Sequence, residues 1–137
     1  MDRLKRISKA VEQIMQHTEH IVRLQDITTI TGSTADYKSD TGACAGIGLL
    51  HNGQVAVQHA YMTAGSKLLP HEDKEIEILI LYEGDMTITT PDCVYHAMVG
   101  RPLVIEPNTP HIAESVGGAK MIAVTIPASK GYPKPTT

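Results

Sequence analysis

The stretch Gly65–Gly84, GSKLLPHEDKEIEILILYEG, places His71, Asp73 and Glu77 at offsets of two and six between two glycines. On a β-strand side chains alternate faces, so residues 71, 73 and 77 share one side. A second histidine, His111, follows its own turn signal, Glu106-Pro107-Asn108-Thr109-Pro110. Two imidazoles and two carboxylates converging from separate strands make a donor set for a hard or borderline divalent cation. Glu75 shares the side of Asp73 and Glu77, along with the inward leucines Leu79 and Leu81. Carboxylates crowded at an apolar cavity repel and desolvate one another. A bound cation removes that cost, and so does protonation. Glu75 is then a rival ligand to Asp73, a general acid or base beside the ion, or a charge on the rim.

His59 and Tyr61 lie on a run leading into Gly65. They either face the same cavity, where they would serve as acid or base, or form an exposed or core-satisfied pair. His96 either lines the pocket or takes a strand-surface position, the reading preferred here; His51 flanks a turn, and His17 and His20 fall in a helical segment. Gly42–Gly48, GACAGIG, superficially suggests a phosphate loop but lacks the Lys-Ser/Thr ending, and reads better as a strand of small residues. No Gly-x-Ser-x-Gly elbow is present.

The elements that must position these residues are mostly strands. Residues 2–25 form the one convincing helix: Leu4, Ile7, Val11, Ile14, Thr18 and Ile21 recur at steps of three and four, with Lys5, Arg6, Lys9, Glu12 and Glu19 off that seam. Residues 26–42, rich in Thr, Ser, Asp and Gly, read as a linker or loose strand. Beyond Ala43 the signals are short strands and turns. Asn52-Gly53 marks a hairpin between Gly46–Leu50 and Gln54–Met62. Further strands are expected at Glu75–Tyr82, Met86–Thr90, Val94–Met98, Leu103–Glu106 and Met121–Ile126. The tail 131–135 reads as loose. Short strands at regular spacing mean an all-β sandwich or barrel.

The chain has 137 residues and one domain's worth of core, preceded by the helix: residues 1–25, then a barrel over 26–137. There are five Tyr, no Phe and no Trp, so no aromatic platform for nucleic acid, and a net charge of -3 argues against a phosphate-binding surface. The longest uncharged apolar run, Ala43–Leu50, is far short of the roughly 20 residues that span a bilayer. No secretory signal is legible, so Cys44 and Cys93 are expected as reduced thiols in a cytoplasmic protein.

The spacing resembles the cupin family, whose first motif reads Gly, five residues, His, one, His, three or four, Glu, six, Gly. It falls here on Gly65, His71, Asp73, Glu77 and Gly84. The second motif, Gly, five, Pro, one, Gly, two, His, three, Asn, falls on Gly100, Glu106, Asn108, His111 and Ser115. Asp73 replaces a histidine and can still ligate. Asn108 replaces a glycine and is the residue that best tolerates a left-handed backbone. The resemblance covers about residues 55–127. It implies a double-stranded β-helix, that is, a jelly-roll barrel, holding one divalent metal ion per chain through His71, Asp73, Glu77 and His111. The carboxylate content favours Fe, Mn or Ni, with Zn next. If Asp73 stays unbound, the two histidines and Glu77 form a facial triad. The implied function is a metal-dependent enzyme acting on a small polar molecule, oxygenase first and isomerase or lyase next. The alternative is a non-catalytic small-molecule or metal binding or sensing module. A homodimer is expected, because such barrels commonly pair and the helix seam needs covering.

Overall fold

Burial alternates residue by residue along the longer segments after Ser33, and eleven strands result. In this computed structural model the described residues are 33–135, with three helical positions, Lys5, Arg6 and Lys9. The remainder of the helix expected over 2–25, and the boundary expected at 25/26, lie outside the described residues. No helix among the described residues is long and apolar enough to cross a membrane.

The strands are β1 (Thr34–Tyr37), β2 (Ser39–Thr41), β3 (Cys44–His51), β4 (Ala56–Met62), β5 (Ser66–Leu68), β6 (Ile76–Gly84), β7 (Thr87–Thr89), β8 (Val94–His96), β9 (Leu103–Ile105), β10 (Ile112–Ser115) and β11 (Ala119–Ile126). They form two antiparallel sheets, a six-stranded one ordered β1-β3-β4-β11-β6-β9 and a five-stranded one ordered β2-β5-β10-β7-β8. The all-β jelly-roll class expected from the sequence is what the chain adopts.

Local chemistry explains the hairpin between β3 and β4. Asn52 Oδ1 accepts from the backbone N–H groups of Gln54 and Val55, and Gly53 takes φ +84°. Two strands escape the sequence reading. β5 and β10 are only three and four residues long, and their buried residues are Ser66, Ala113 and Ser115. Such strands carry too little apolar signal to be read. The segment read as a linker or loose strand holds β1 and β2.

The inner face of the large sheet carries Cys44, Gln58, Ala60, Met62, Leu79, Leu81, Met121 and Ala123, and the small sheet supplies Ile88 and Ala113. With no Phe or Trp to fill the centre, the space between the sheets stays open as a cavity of about 360 Å³. The tail is not loose. After β11 it folds back as a strap: Ser129 N–H donates to the buried Thr125 Oγ1 (2.8 Å), Ser33 N–H donates to Lys134 O (3.0 Å), and Tyr132 is buried.

Candidate metal centre

His71 and His111 are joined by the backbone. They form an isolated antiparallel bridge, with His71 N–H donating to His111 O (3.1 Å) and His111 N–H to His71 O (2.9 Å). The rings meet edge to face with centroids 4.2 Å apart. Asp73 lies in the loop beyond His71, where its carbonyl accepts from Asn108 N–H (2.6 Å). Asn108 has φ +58°, in the left-handed region where the motif has glycine. That turn ties the second histidine's loop to the first. Glu77 stands on β6, opposite Ile105 of β9.

Strand parity does not describe this arrangement of residues 71, 73 and 77. Residues 72–75 form no strand, so His71 and Asp73 come from the segment before β6 and Glu77 from β6 itself. One ligand atom from each of His71, Asp73, Glu77 and His111 lies within 4.8 Å of the others. The cluster runs from the surface inward: the side chains of His71 and Asp73 are 39% and 26% exposed, those of His111 and Glu77 2% and 10%.

Hydrogen bonds prepare both imidazoles. His71 Nδ1 meets Leu69 O at 3.2 Å and His111 Nδ1 meets Thr109 O at 2.8 Å. A carbonyl only accepts, so each Nδ1 carries the proton and each Nε2 turns a lone pair toward the cluster. The Nε2 atoms stand 3.9 Å from Asp73 Oδ2 and 3.8 Å from Glu77 Oε1, beyond hydrogen-bonding range. Asp73 Oδ2 is buried with no hydrogen-bond partner. Donors bound to one ion at about 2.0–2.2 Å stand roughly 3–4.3 Å apart. The His71–Asp73 and His111–Glu77 separations lie in that range, and with one of its oxygens orphaned the cluster could hold a divalent cation.

The electrostatics agree. Burial raises the pKa of Glu77 above the ordinary carboxyl value; the hydrogen bond from Tyr132 opposes this, and the charge of Asp73 adds to it. Burial lowers the pKa of His111 and so keeps it neutral. Tyr132 Oη donates to Glu77 Oε2 at 2.6 Å, and Tyr37 Oη donates to Gln58 Oε1 at 2.6 Å. Burial raises both phenols, which stay protonated.

The residues expected as acid or base stand elsewhere. His59 and Tyr61 project from the face of β4 opposite the cavity, because Gln58, Ala60 and Met62 take the inward positions. His59 stacks on Tyr82, with ring centroids 5.5 Å apart, and its Nε2 bonds the Tyr82 hydroxyl. Glu75 sits half-buried in the bend before β6 and does not line the cavity. The residues that sequence reasoning missed are Tyr37, Gln58 and Tyr132. Gln58 had a readable signal, a polar residue alternating with buried positions on a strand. Tyr132 had none, since it lies in a proline-flanked tail.

No protein-family model and no curated protein matches the chain. Its fold matches solved structures. An RmlC-like cupin from Shewanella frigidimarina superposes with a TM-score of 0.65 at 14% identity, over 80% of this chain and 95% of that one. A predicted oxalate decarboxylase from Thermotoga maritima gives 0.63 at 17% identity, over 76% and 98%. KdgF from a Halomonas species gives 0.60 at 14%, over 69% and 89%. The two sheets, the cavity between them and the likeness to these barrels together make this chain a cupin in fold.

Proposed function

We propose that this chain is a metal-dependent enzyme, with one divalent ion held by His71, Asp73, Glu77 and His111, acting on a small molecule with a polar head and an apolar body. The observation that carries the reading is the buried, unpartnered Asp73 Oδ2 within a cluster whose two imidazoles both direct Nε2 inward. A bound ion would supply Lewis acidity or a dioxygen-binding centre. Oxygenase chemistry stands first, isomerase or lyase chemistry next.

The chain's own residues support the substrate class. Met62, Leu79, Met86, Ile88 and Met121 make apolar walls, which adds an apolar body to the small polar molecule expected from the sequence. The donor cluster gathers the polarity, so the polar head of a ligand would seat there and its body would bury against the walls. Tyr132 keeps a hydrogen bond on Glu77 Oε2, and Lys38 lines the cavity. His59, Tyr61 and Glu75 take no part in this reading, because none of them lines the cavity.

The same observation favours the second reading, a non-catalytic binding or sensing module. Apart from the donor cluster, the titratable groups lining the cavity are Tyr37, Lys38, Cys44 and Tyr132, and burial disfavours ionisation of both phenols and the thiol. Metal analysis of protein purified without chelator or affinity tag tests the ion. Oxygen uptake by anaerobically Fe(II)-loaded protein, screened against thiols, catechols and keto acids, then separates the readings. Metal without turnover of any kind leaves the binding module standing, and protein that never carries or takes up metal removes the metal-dependent enzyme and moves a small-molecule binding module ahead.

A further inference from the structure

The C-terminal strap reaches the donor cluster through one side chain. Tyr132 is buried at the base of the cavity, 55 positions after Glu77, and its hydroxyl donates to Glu77 Oε2 at 2.6 Å. The other carboxylate oxygen, Oε1, faces His111 Nε2. The two oxygens of Glu77 are therefore divided, one to the strap and one to the cluster.

The phenol donates and the carboxylate oxygen accepts in that bond. Tyr37 Oη donates to Gln58 Oε1, so the Gln58 amide nitrogen is left for other partners. The large sheet is carved to admit this arrangement. A Cβ on Gly46 would collide with Gln58 Oε1, and a Cβ on Gly48 would collide with the strap backbone at Pro133 and Lys134. His51 Nε2 bonds Ser129 O at 2.8 Å and further pins the strap.

We infer that Tyr132 is a positioning residue of the metal centre: by occupying Glu77 Oε2 it leaves Oε1 as the single donor, which suits ions that accept a one-oxygen carboxylate and disfavours Ca²⁺. Ca²⁺ takes six to eight oxygens and often a two-oxygen carboxylate, whereas the first-row divalent ions take fewer donors at shorter distance. This rests on the metal reading proposed above. Orienting partners of metal ligands are worth about 10–100-fold in affinity.

The test uses the full chain with the metal alone. Mn²⁺, Co²⁺ and Ca²⁺ are titrated into wild type, Tyr132→Phe and Tyr37→Phe, with the visible absorption of the Co²⁺ form recorded. Tyr132→Phe is expected to weaken Mn²⁺ binding about tenfold or more, narrow the Mn²⁺-to-Ca²⁺ ratio and alter the Co²⁺ spectrum. Tyr37→Phe, which loses a phenol from the same network but leaves the Glu77 bond, is expected to change the ratio and spectrum little. Equal ratios and spectra in wild type and Tyr132→Phe overturn the proposal, as does an equal change in both variants, which would mark a merely structural network. If Tyr132→Phe does not fold, Gly48→Ala, which displaces the strap, must reproduce the altered ratio, and a wild-type ratio there overturns the proposal. Wild type that binds none of the three ions overturns the metal reading and this inference with it, a result distinct from loss in the variant alone.

Discussion

His71 and His111 exchange both backbone hydrogen bonds, at 3.1 and 2.9 Å, so the two imidazoles are held beside each other before any ligand arrives. A metal site built on a reciprocal backbone pair does not have to order its histidines when an ion binds. It would have to keep Glu77 charged next to an apolar cavity, a conflict that would make an ion-holding site sensitive to pH and to loss of the ion.

Metal is expected to stabilise the fold at neutral pH and much less in mild acid. Binding requires His111 neutral and Glu77 ionised. The His111 pKa is lowered by burial, so the stability tied to it is present above its ordinary value of 6.5 and is lost as pH falls through the lowered folded value. Acid also protonates Glu77 early, because its folded pKa is raised. At a hundredfold excess over Kd, binding to the folded state adds about 2.7 kcal/mol. Chelation should therefore lower Tm strongly at pH 7.5 and weakly near pH 5, and His71→Ala or His111→Ala should abolish the difference. Metal-loaded protein whose Tm at pH 7.5 ignores chelator would place the ion elsewhere.

Glu77→Gln should stabilise the chelated protein at pH 7.5. Burial raises the Glu77 pKa above its ordinary 4.5, so its stability is full below that value and is lost as pH rises through the folded pKa. The amide removes that loss and still accepts from Tyr132. Thermal melts in chelator should show a higher Tm for the variant at pH 7.5, by about 4 °C for each kcal/mol relieved, with the gap closing below pH 4.5. With metal present the order should invert. A variant less stable than wild type in chelator at pH 7.5 would show that the Glu77 charge does not strain the fold.

Gly46→Ala should destabilise by about 1–3 kcal/mol, because the new methyl meets the Gln58 amide in a closed space. Gln58→Ala made in the Gly46→Ala background should recover part of that loss. Urea denaturation of the four proteins in the cycle should give a coupling of about 1 kcal/mol or more. Additive effects would mean that the two positions do not compete for the same volume.

Cys44 should react far more slowly than Cys93 with a thiol reagent. Both are free thiols, but Cys44 is buried on the cavity wall and burial pushes its pKa up to about 11. At pH 7.5 well under a hundredth of it is thiolate, the reactive form. Native protein should show one fast thiol and denatured protein two. Equal rates in the native state would show the cavity to be open at Cys44.

The cluster of His71, Asp73, Glu77 and His111 was legible in the sequence because glycine-framed spacing survives in one dimension. Gly65, His71, Asp73, Glu77 and Gly84 follow one another on the chain, and Asn108 announces its left-handed turn by residue type. The all-β class was legible for the same reason, since alternation and turn residues are local signals. What brings His71, Asp73 and Glu77 together is different from what their parity suggested. A loop, a backbone bridge to His111 and the turn at Asn108 do it, and each depends on pairing across about 35–40 residues, which no local pattern encodes.

His59 and Tyr61 mark where local reading stops. Gln58 and Ala60 alternate with them on β4, and a shift of one residue exchanges the two sets between cavity and outer face. Both faces of this strand carry buried residues, so residue type alone does not choose between them; pairing with β3 and β11 does. Tyr132 is the complementary case. Its sequence context is that of a tail, and the space left by Gly46 and Gly48, into which the strap and the Gln58 side chain fit, exists only once the sheet has formed. The four clustered residues and the fold class could be read from residue order, because spacing and alternation are properties of neighbours on the chain. Which polar groups face the cavity, and which phenol meets Glu77, could not, because both depend on strand register and on close approach between segments far apart in sequence.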